Sequence, residues 1–218
     1  MHVIRLGIRD AGKVSRMRVC EIFQSWQGEY PAGMPCLFVR LQGCTRRCAW
    51  CDTKYAWNPE GGFEVPWQMV ARLCRQYGGP VVFTGGEPLM QVKELKKVVR
   101  KLPRSQPVYI ETNGEVRVGG WLRRRATLVV SPKSERVLEK WARYTDVVVK
   151  LVVDTEDAED VMRKTQLAER VRGIALLMPL SGQGRNPLEQ CAKLVMHLRT
   201  RTRGVGFVMR MQEVFGFR

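Results

Sequence analysis

The sequence predicts an α/β fold, a partial (incomplete) TIM-like barrel with mostly parallel strands. Two observations carry that prediction. Near-continuous apolar runs alternate with amphipathic stretches of helical period, as expected of strands in a parallel sheet covered on its faces. The strands number about seven, and a helix or two is missing from the count a closed eight-fold barrel would need. A third observation says where chemistry belongs. Polar or glycine-rich punctuation recurs just after the apolar runs, and ligands of such folds bind at the carboxyl ends of the strands.

The elements follow in order. Residues 1–18 are basic and without clear period, a frayed start or an added edge strand. Val19 to Gln24 alternates weakly and reads as a first strand, and Gln27 to Gly33 is loop by its glycine and proline. Cys36 to Leu41 is a strand, and Asn58 to Gly62 is loop again. Val65 to Tyr77 has helical period, with Trp67, Val70, Ala71 and Cys74 on one side. Further strands are expected at Val81–Thr84, Val108–Glu111, Leu128–Val130, Val147–Val152, Ile174–Leu177 and Gly206–Arg210. Helices intervene at Val92–Leu102, Ser134–Tyr144, Asp157–Val171 and Pro187–Arg199. No repeat, low-complexity segment or linker interrupts them, so residues 1–218 are expected to form a single domain.

Composition excludes several classes. With 44% hydrophobic and 27% charged residues the chain is ordinary for a globular protein. It has no apolar run of spanning length and no apolar h-region near Met1, so no membrane or secretory role is expected. Seven cysteines, an odd number with three clustered, argue for a reducing compartment, and a cytoplasmic location is expected. The net charge of +16 suits an anionic substrate or partner. The basic residues are dispersed, however: Val92, Leu95, Val99 and Leu102 mark one helical face and the lysines between them mostly fall elsewhere. Arg123-Arg124-Arg125 and Arg199, Arg201 and Arg203 are denser but lack the interleaved aromatics of a single-strand-binding surface. Nucleic acid is not expected as the partner.

The most informative stretch is Gly43-Cys44-Thr45-Arg46-Arg47-Cys48-Ala49-Trp50-Cys51-Asp52-Thr53. Thiolates this close in sequence can converge on one metal centre. A structural zinc site and a closed iron–sulfur cluster both want four ligands, and this loop supplies three. His2 and His197 lie far off in sequence, and Asp52 could join only by straining the loop. An open-site [4Fe–4S] cluster on Cys44, Cys48 and Cys51 is therefore expected, with one iron left for a substrate or cofactor. Cys20, Cys36, Cys74 and Cys191 lie in apolar patterns and read as core.

Strand ends supply the other candidates: Thr84-Gly85-Gly86-Glu87-Pro88, Glu111-Thr112-Asn113-Gly114, Ser131-Pro132-Lys133, and Met178-Pro179-Leu180-Ser181, with Lys150 on a strand of its own. The C-x3-C-x2-C motif followed by Gly-Gly-Glu-Pro resembles the radical S-adenosylmethionine enzymes. In that superfamily the methionyl group chelates the open iron, and an electron from the cluster releases a 5′-deoxyadenosyl radical. The resemblance implies that Gly85 and Gly86 let the backbone approach the methionyl ammonium.

A narrower resemblance covers most of the chain. Glu21-Ile22-Phe23-Gln24-Ser25-Trp26-Gln27-Gly28-Glu29, Phe38-Val39-Arg40-Leu41-Gln42-Gly43-Cys44, Cys51-Asp52-Thr53-Lys54 and the strand-end motifs resemble the 7-carboxy-7-deazaguanine synthase family. This implies contraction of 6-carboxy-5,6,7,8-tetrahydropterin to 7-carboxy-7-deazaguanine with loss of ammonia, on the route to queuosine and other 7-deazapurines. It further implies a homodimer, Mg²⁺, and a reductant such as flavodoxin or ferredoxin. Carried over by motif, the pterin meets Trp26, Gln27, Gly28, Glu29, Arg40 and Thr84, and Mg²⁺ sits on Thr53. S-adenosylmethionine lies along Trp50, Gly85, Gly86, Glu87, Ser131, Pro132, Lys133, Met178, Pro179, Leu180 and Ser181. No catalytic side chain is implied beyond the cluster and cofactor.

The residue chemistry agrees. Arg40 offers a planar fork for a carboxylate, Gln27 and Glu29 can read a donor-and-acceptor edge, and the Thr53 hydroxyl is a hard oxygen of the kind Mg²⁺ accepts. One departure stands out. The family's last segment commonly has Gln followed by a His-Lys pair, with a terminal carboxylate near the substrate; here Gln212-Glu213-Val214-Phe215-Gly216-Phe217-Arg218 lacks the pair and leaves Arg218 as the candidate. Two rival readings are a glycyl-radical-enzyme activating enzyme, which shares the cluster motif, and a zinc-containing nucleic-acid-binding protein.

Overall fold

The computed structural model describes residues 15–180, 187–199 and 204–208. They form two compact units, the first from residues up to 26 with 34–112 and 118–127, the second from 27–33, 113–117 and 128 onward. The junctions at Trp26/Gln27 and Thr127/Leu128 fall inside strands, which is why no linker composition marks them.

In the first unit β1 (Arg16–Gln27, whose last residue belongs to the second unit), β2 (Met34–Leu41), β3 (Phe63–Pro66), β4 (Val81–Gly85) and β5 (Val108–Thr112) are neighbours in the order β3-β1-β2-β4-β5. β2, β4 and β5 run parallel, with Leu37 opposite Val81, Leu41 opposite Gly85 and Val81 opposite Val108. Val81, Val82 and Phe83 are all fully buried, the continuous apolar pattern of a strand with both faces covered. The helix α1 (Trp67–Tyr77) buries Val70, Ala71 and Cys74, and α2 (Val92–Lys101) buries Leu95, Val98 and Val99. Gly78 ends α1 at φ +72°, a left-handed cap that glycine adopts without strain, donating its N–H to the Cys74 carbonyl.

Two elements of this unit depart from expectation. Residues 63–66 form β3, antiparallel to β1 with Val65 opposite Met17, so the helix expected from Val65 begins at Trp67. A short helix α3 (Gly120–Arg125) takes up the arginine run. Arg125 turns back onto the carbonyls of Pro103 at 2.6 Å and Gln106 at 3.2 Å, so this cation ties a turn together.

In the second unit β6 (Thr127–Val130, whose first residue belongs to the first unit), β7 (Val147–Val153), β8 (Ile174–Pro179) and β9 (Val205–Phe207) are parallel neighbours in that order. The helices α4 (Glu135–Ala142), α5 (Ala158–Glu169) and α6 (Pro187–Arg199) connect them in sequence. Asp157 caps α5, accepting from the N–H groups of Glu159 and Asp160 at 2.9 and 3.3 Å. Val129, Val148, Leu176, Met178 and Val208 make a buried cluster against which Tyr30, Val152 and Ile174 pack. Residues 209 and 210 of the expected last strand lie outside the described residues. Among the described residues no helix is long and apolar enough to cross a membrane.

Candidate functional site

The cysteine loop leaves β2 at Gln42 and is closed at its base by backbone pairing. Gly43 N–H donates to Ala56 O at 2.9 Å and Cys44 N–H to Trp57 O at 3.2 Å. Gly43 sits at φ +92°, a conformation that favours glycine. Within the loop Arg46 N–H points at Cys44 Sγ and Thr53 N–H at Cys51 Sγ, both at 3.4 Å. Two of the three sulfurs thus already have an amide donor of the sort that stabilises a metal-bound thiolate. Burial raises the pKa of the Cys44 thiol, Arg46 N–H works against that, and Glu87, Cys51 and Cys48 add to it. Such a sulfur becomes a thiolate when a cation joins it. Among the described residues no group of three His, Cys, Asp or Glu side chains is arranged so as to hold a metal ion. The loop's base is fixed by backbone pairing, and Cys44 and Cys51 each have an amide donor on sulfur.

The glycine turn lies against this loop. β2 and β4 are in register, so Leu41 faces Gly85 and the two strands end together. Gly86 N–H donates to Leu41 O at 3.0 Å and Glu87 N–H to Gly43 O at 2.7 Å. A Cβ on Gly85 would stand 2.1 Å from Leu41 O, and one on Gly86 would stand 2.2 Å from Gly43 O and 2.6 Å from Ala56 O. The pair is therefore glycine because the chain's own backbone crowds it, a reason additional to the ligand approach inferred from sequence. Glu87 is wholly buried, accepting from Leu89 N–H at 2.9 Å and the Thr112 hydroxyl at 2.7 Å. Its carboxylate braces the turn against β5.

Arg40 stands opposite Thr84 in the β2–β4 register, one residue before the strand ends. Its Nε donates to Glu21 Oε1 at 2.7 Å and its Nη1 to Thr53 Oγ1 at 3.3 Å. The guanidinium also lies over the rings of Phe23 and Tyr55, 5.5 and 5.9 Å from their centroids. Tyr55 Oη donates to the same Glu21 oxygen at 2.8 Å. Burial, opposed by Arg40 and reinforced by Glu21, pushes the Tyr55 phenol up to about 12. Thr53, itself buried, donates to Asp52 Oδ1 at 2.8 Å. Trp26 and Trp50 of this unit are 45% and 50% exposed.

In the second unit Gln27 is buried and its Oε1 accepts from Glu29 N–H at 3.0 Å, so the side chain shapes its own loop. Gly33 N–H closes the loop onto Gln27 O at 2.8 Å. Glu29 Oε2 is paired with Lys150 Nζ, a lysine almost completely buried in the middle of β7. Lys133 Nζ donates to Ser131 Oγ at 2.9 Å just after β6. Met178 is buried at the end of β8, and Leu180 N–H donates to Val153 O at 2.8 Å. The Asn113-Gly114 turn holds Trp141, whose Nε1 donates to Gly114 O at 2.8 Å. Ser181 and Arg218 lie outside the described residues.

Sequence reasoning passed over Glu21 and Tyr55 and gave Lys150 no role. The signal for Lys150 was present: a single charge in the run Val147-Val148-Val149-Lys150-Leu151-Val152-Val153. Of the four cysteines read as core, Cys36, Cys74 and Cys191 are buried, while Cys20 is only half-buried.

Comparison with known proteins now adds to this geometry. Residues 38–180 match the model of the radical SAM superfamily. The 7-carboxy-7-deazaguanine synthase of Pyrobaculum aerophilum is 38% identical over 178 residues, covering 76% of this chain and 80% of that protein. The chain belongs to the 7-carboxy-7-deazaguanine synthase family. The Aquifex aeolicus synthase is 31% identical, covering 82% of this chain and 84% of its own. With the Thermoplasma acidophilum synthase the match is 45% identical over 104 residues, and spans about half of each, 47% and 49%. A solved structure of Streptococcus suis SuiB bound to precursor peptide SuiA superposes with a TM-score of 0.59 over 78% of this chain and 47% of that one, at 13% identity. That likeness is one of fold. Membership of the radical SAM superfamily implies a [4Fe–4S] cluster and S-adenosylmethionine. The three-cysteine loop, with amide donors on Cys44 and Cys51 and its base pinned beside Gly86, fits the cluster.

Proposed function

We propose that this protein converts 6-carboxy-5,6,7,8-tetrahydropterin to 7-carboxy-7-deazaguanine with loss of ammonia, in the biosynthesis of queuosine or a related 7-deazapurine. The observation that carries the reading is Arg40 opposite Thr84 at the ends of β2 and β4, next to the cysteine loop and the glycine turn. A cation there suits a substrate carboxylate, and a buried hydroxyl beside it suits a ring heteroatom. Relatives aligned over most of the chain carry the synthase name, and neither the activating-enzyme reading nor the zinc-protein reading has such support.

Cys44, Cys48 and Cys51 would hold the cluster, which together with S-adenosylmethionine supplies the radical that abstracts hydrogen from the pterin. The chain's own residues bind and orient. Trp50, Gly85, Gly86, Ser131, Pro132, Lys133, Met178, Pro179 and Leu180 are proposed for the cofactor, and Trp26, Gln27, Gly28, Glu29, Arg40 and Thr84 for the pterin. Glu87, placed with the cofactor by the resemblance, is proposed to contribute by fixing the turn. Mg²⁺ is proposed at Thr53, supported by the Asp52 carboxylate on the same hydroxyl. A homodimer and a flavodoxin or ferredoxin reductant are proposed on the family resemblance.

Anaerobic reconstitution with iron and sulfide, followed by incubation with S-adenosylmethionine, Mg²⁺ and 6-carboxytetrahydropterin, tests the function. Accumulation of 7-carboxy-7-deazaguanine is expected. A cluster-loaded protein that cleaves S-adenosylmethionine yet leaves the pterin intact would overturn the substrate assignment.

A further inference from the structure

Lys150 is the one side chain on the inner stretch of β7 that the fold has no packing reason to keep. It stands opposite Leu176 and between Val148 and Val152, on the face where Val129, Leu176 and Met178 form the core cluster. Burying an ammonium there costs several kcal/mol unless a partner compensates it. The compensation is Glu29, on the loop from Gln27 to Gly33. That loop is held three ways. Tyr30 packs on the cluster, Gln27 Oε1 accepts from Glu29 N–H, and Gly33 N–H closes onto Gln27 O. The backbone is thus fixed without Lys150. What the lysine adds is the direction of a single carboxylate.

We propose that Lys150 is a positioning residue that holds the Glu29 carboxylate correctly aimed for the aminopyrimidinone edge of the substrate. The proposal rests on the pterin reading above. A 2-amino-4-oxopyrimidine ring presents an N–H and an exocyclic amine side by side, both donors. A carboxylate accepts from such a pair only when its two oxygens are held towards it. Lys150 takes one oxygen, Oε2, and the carboxylate's remaining lone pairs are those a substrate would use.

The test is a cycle of Lys150→Met, Glu29→Gln and the double variant, with KM and kcat for 6-carboxytetrahydropterin measured on cluster-loaded protein alongside thermal unfolding. Lys150→Met is expected to raise KM by about ten- to a hundredfold, the scale of one charge-assisted hydrogen bond, with kcat changed far less. Glu29→Gln should raise it similarly. The double variant removes the unpaired charge, so its melting temperature should recover while its KM rises no further than in either single variant. Recovery of KM together with stability would reduce Lys150 to a scaffold residue. Multiplying KM effects would mean that Lys150 acts on the substrate independently of Glu29, which also overturns the proposal. A wild-type protein that cleaves S-adenosylmethionine but never consumes the pterin removes the substrate reading itself, and this inference with it.

Discussion

Arg40 on β2 donates through Nε to Glu21 on the neighbouring strand β1 at 2.7 Å, and this contact decides which edge of the guanidinium is open. Nη1 reaches Thr53 at 3.3 Å, and among the described residues Nη2 makes no hydrogen bond. The terminal end of the fork therefore remains for a substrate carboxylate. Glu21 also receives the Tyr55 hydroxyl, so one carboxylate orients both the arginine and the ring beneath it. Arg40→Lys keeps the charge but loses the fixed fork. It is expected to raise KM for the pterin by about tenfold or more, with Arg40→Ala worse, and little loss of kcat. Steady-state kinetics on cluster-loaded protein check this, and a fall in kcat at constant KM would exclude the binding role.

The cluster depends on a ligand that the loop cannot replace. Cys48→Ala leaves two sulfurs, and none of the other four cysteines belongs to the loop. Iron content, absorption near 400 nm and product formation should all be lost, while the melting temperature of the cluster-free protein stays close to wild type. Retained turnover in a protein shown to lack its iron would contradict the family chemistry.

Gly86 tests whether backbone crowding dictates the turn. An alanine there places Cβ 2.2 Å from Gly43 O and 2.6 Å from Ala56 O, so the base of the cysteine loop must move. Gly86→Ala is expected to destabilise the protein by about 2 kcal/mol or more and to lower cluster loading. Denaturant unfolding and iron analysis read the two effects. Normal stability would mean that the glycine is there for the ligand alone.

How much of this was legible beforehand follows from how local each signal is. The cysteine loop, the strand ends and the stripe Val70, Ala71 and Cys74 could be read because each is written within a few consecutive residues. β3 could not. Its four residues bury only Val65, and what makes them a strand is pairing with Arg16 to Val19 more than forty positions away. The same holds in the site. Gln27 and Glu29 looked like loop polarity free to meet a ligand, and only the folded chain brings Lys150 to Glu29 across 121 positions. For Gly85 and Gly86 the sequence suggests room for a ligand, whereas the atoms that crowd a Cβ there belong to Leu41, Gly43 and Ala56.

Thr53 offers a separable test of the metal. Its hydroxyl already donates to Asp52 and accepts from Arg40, which leaves one lone pair for a hard cation. Thr53→Ser keeps that oxygen and should retain stimulation by Mg²⁺. Thr53→Val, similar in shape, should abolish it and leave S-adenosylmethionine cleavage nearly intact. Titrating Mg²⁺ into chelator-treated protein measures both. Undiminished stimulation in Thr53→Val would move the ion elsewhere.

The buried thiols predict how stability changes at high pH. Cys74 is fully buried on α1, and burial pushes it from 9.0 up to about 12, while Cys36 and Cys191 are pushed to about 11. In each case the folded state holds its proton more tightly than the unfolded chain. The folded state then binds more protons than the unfolded one between the two values, and stability falls as pH rises through that window. The contribution is fully present below pH 9.0 and is lost progressively towards about 12 for Cys74. Melting temperature should therefore be nearly flat up to pH 9 and decline steadily above it. Cys74→Ala lowers stability at neutral pH by about 1 kcal/mol through lost packing, yet flattens the alkaline decline because the group that titrates is gone. Scanning calorimetry of both proteins from pH 7 to the limit of reversible unfolding compares the two slopes. Parallel slopes would mean that another group, such as Tyr55, governs alkaline unfolding.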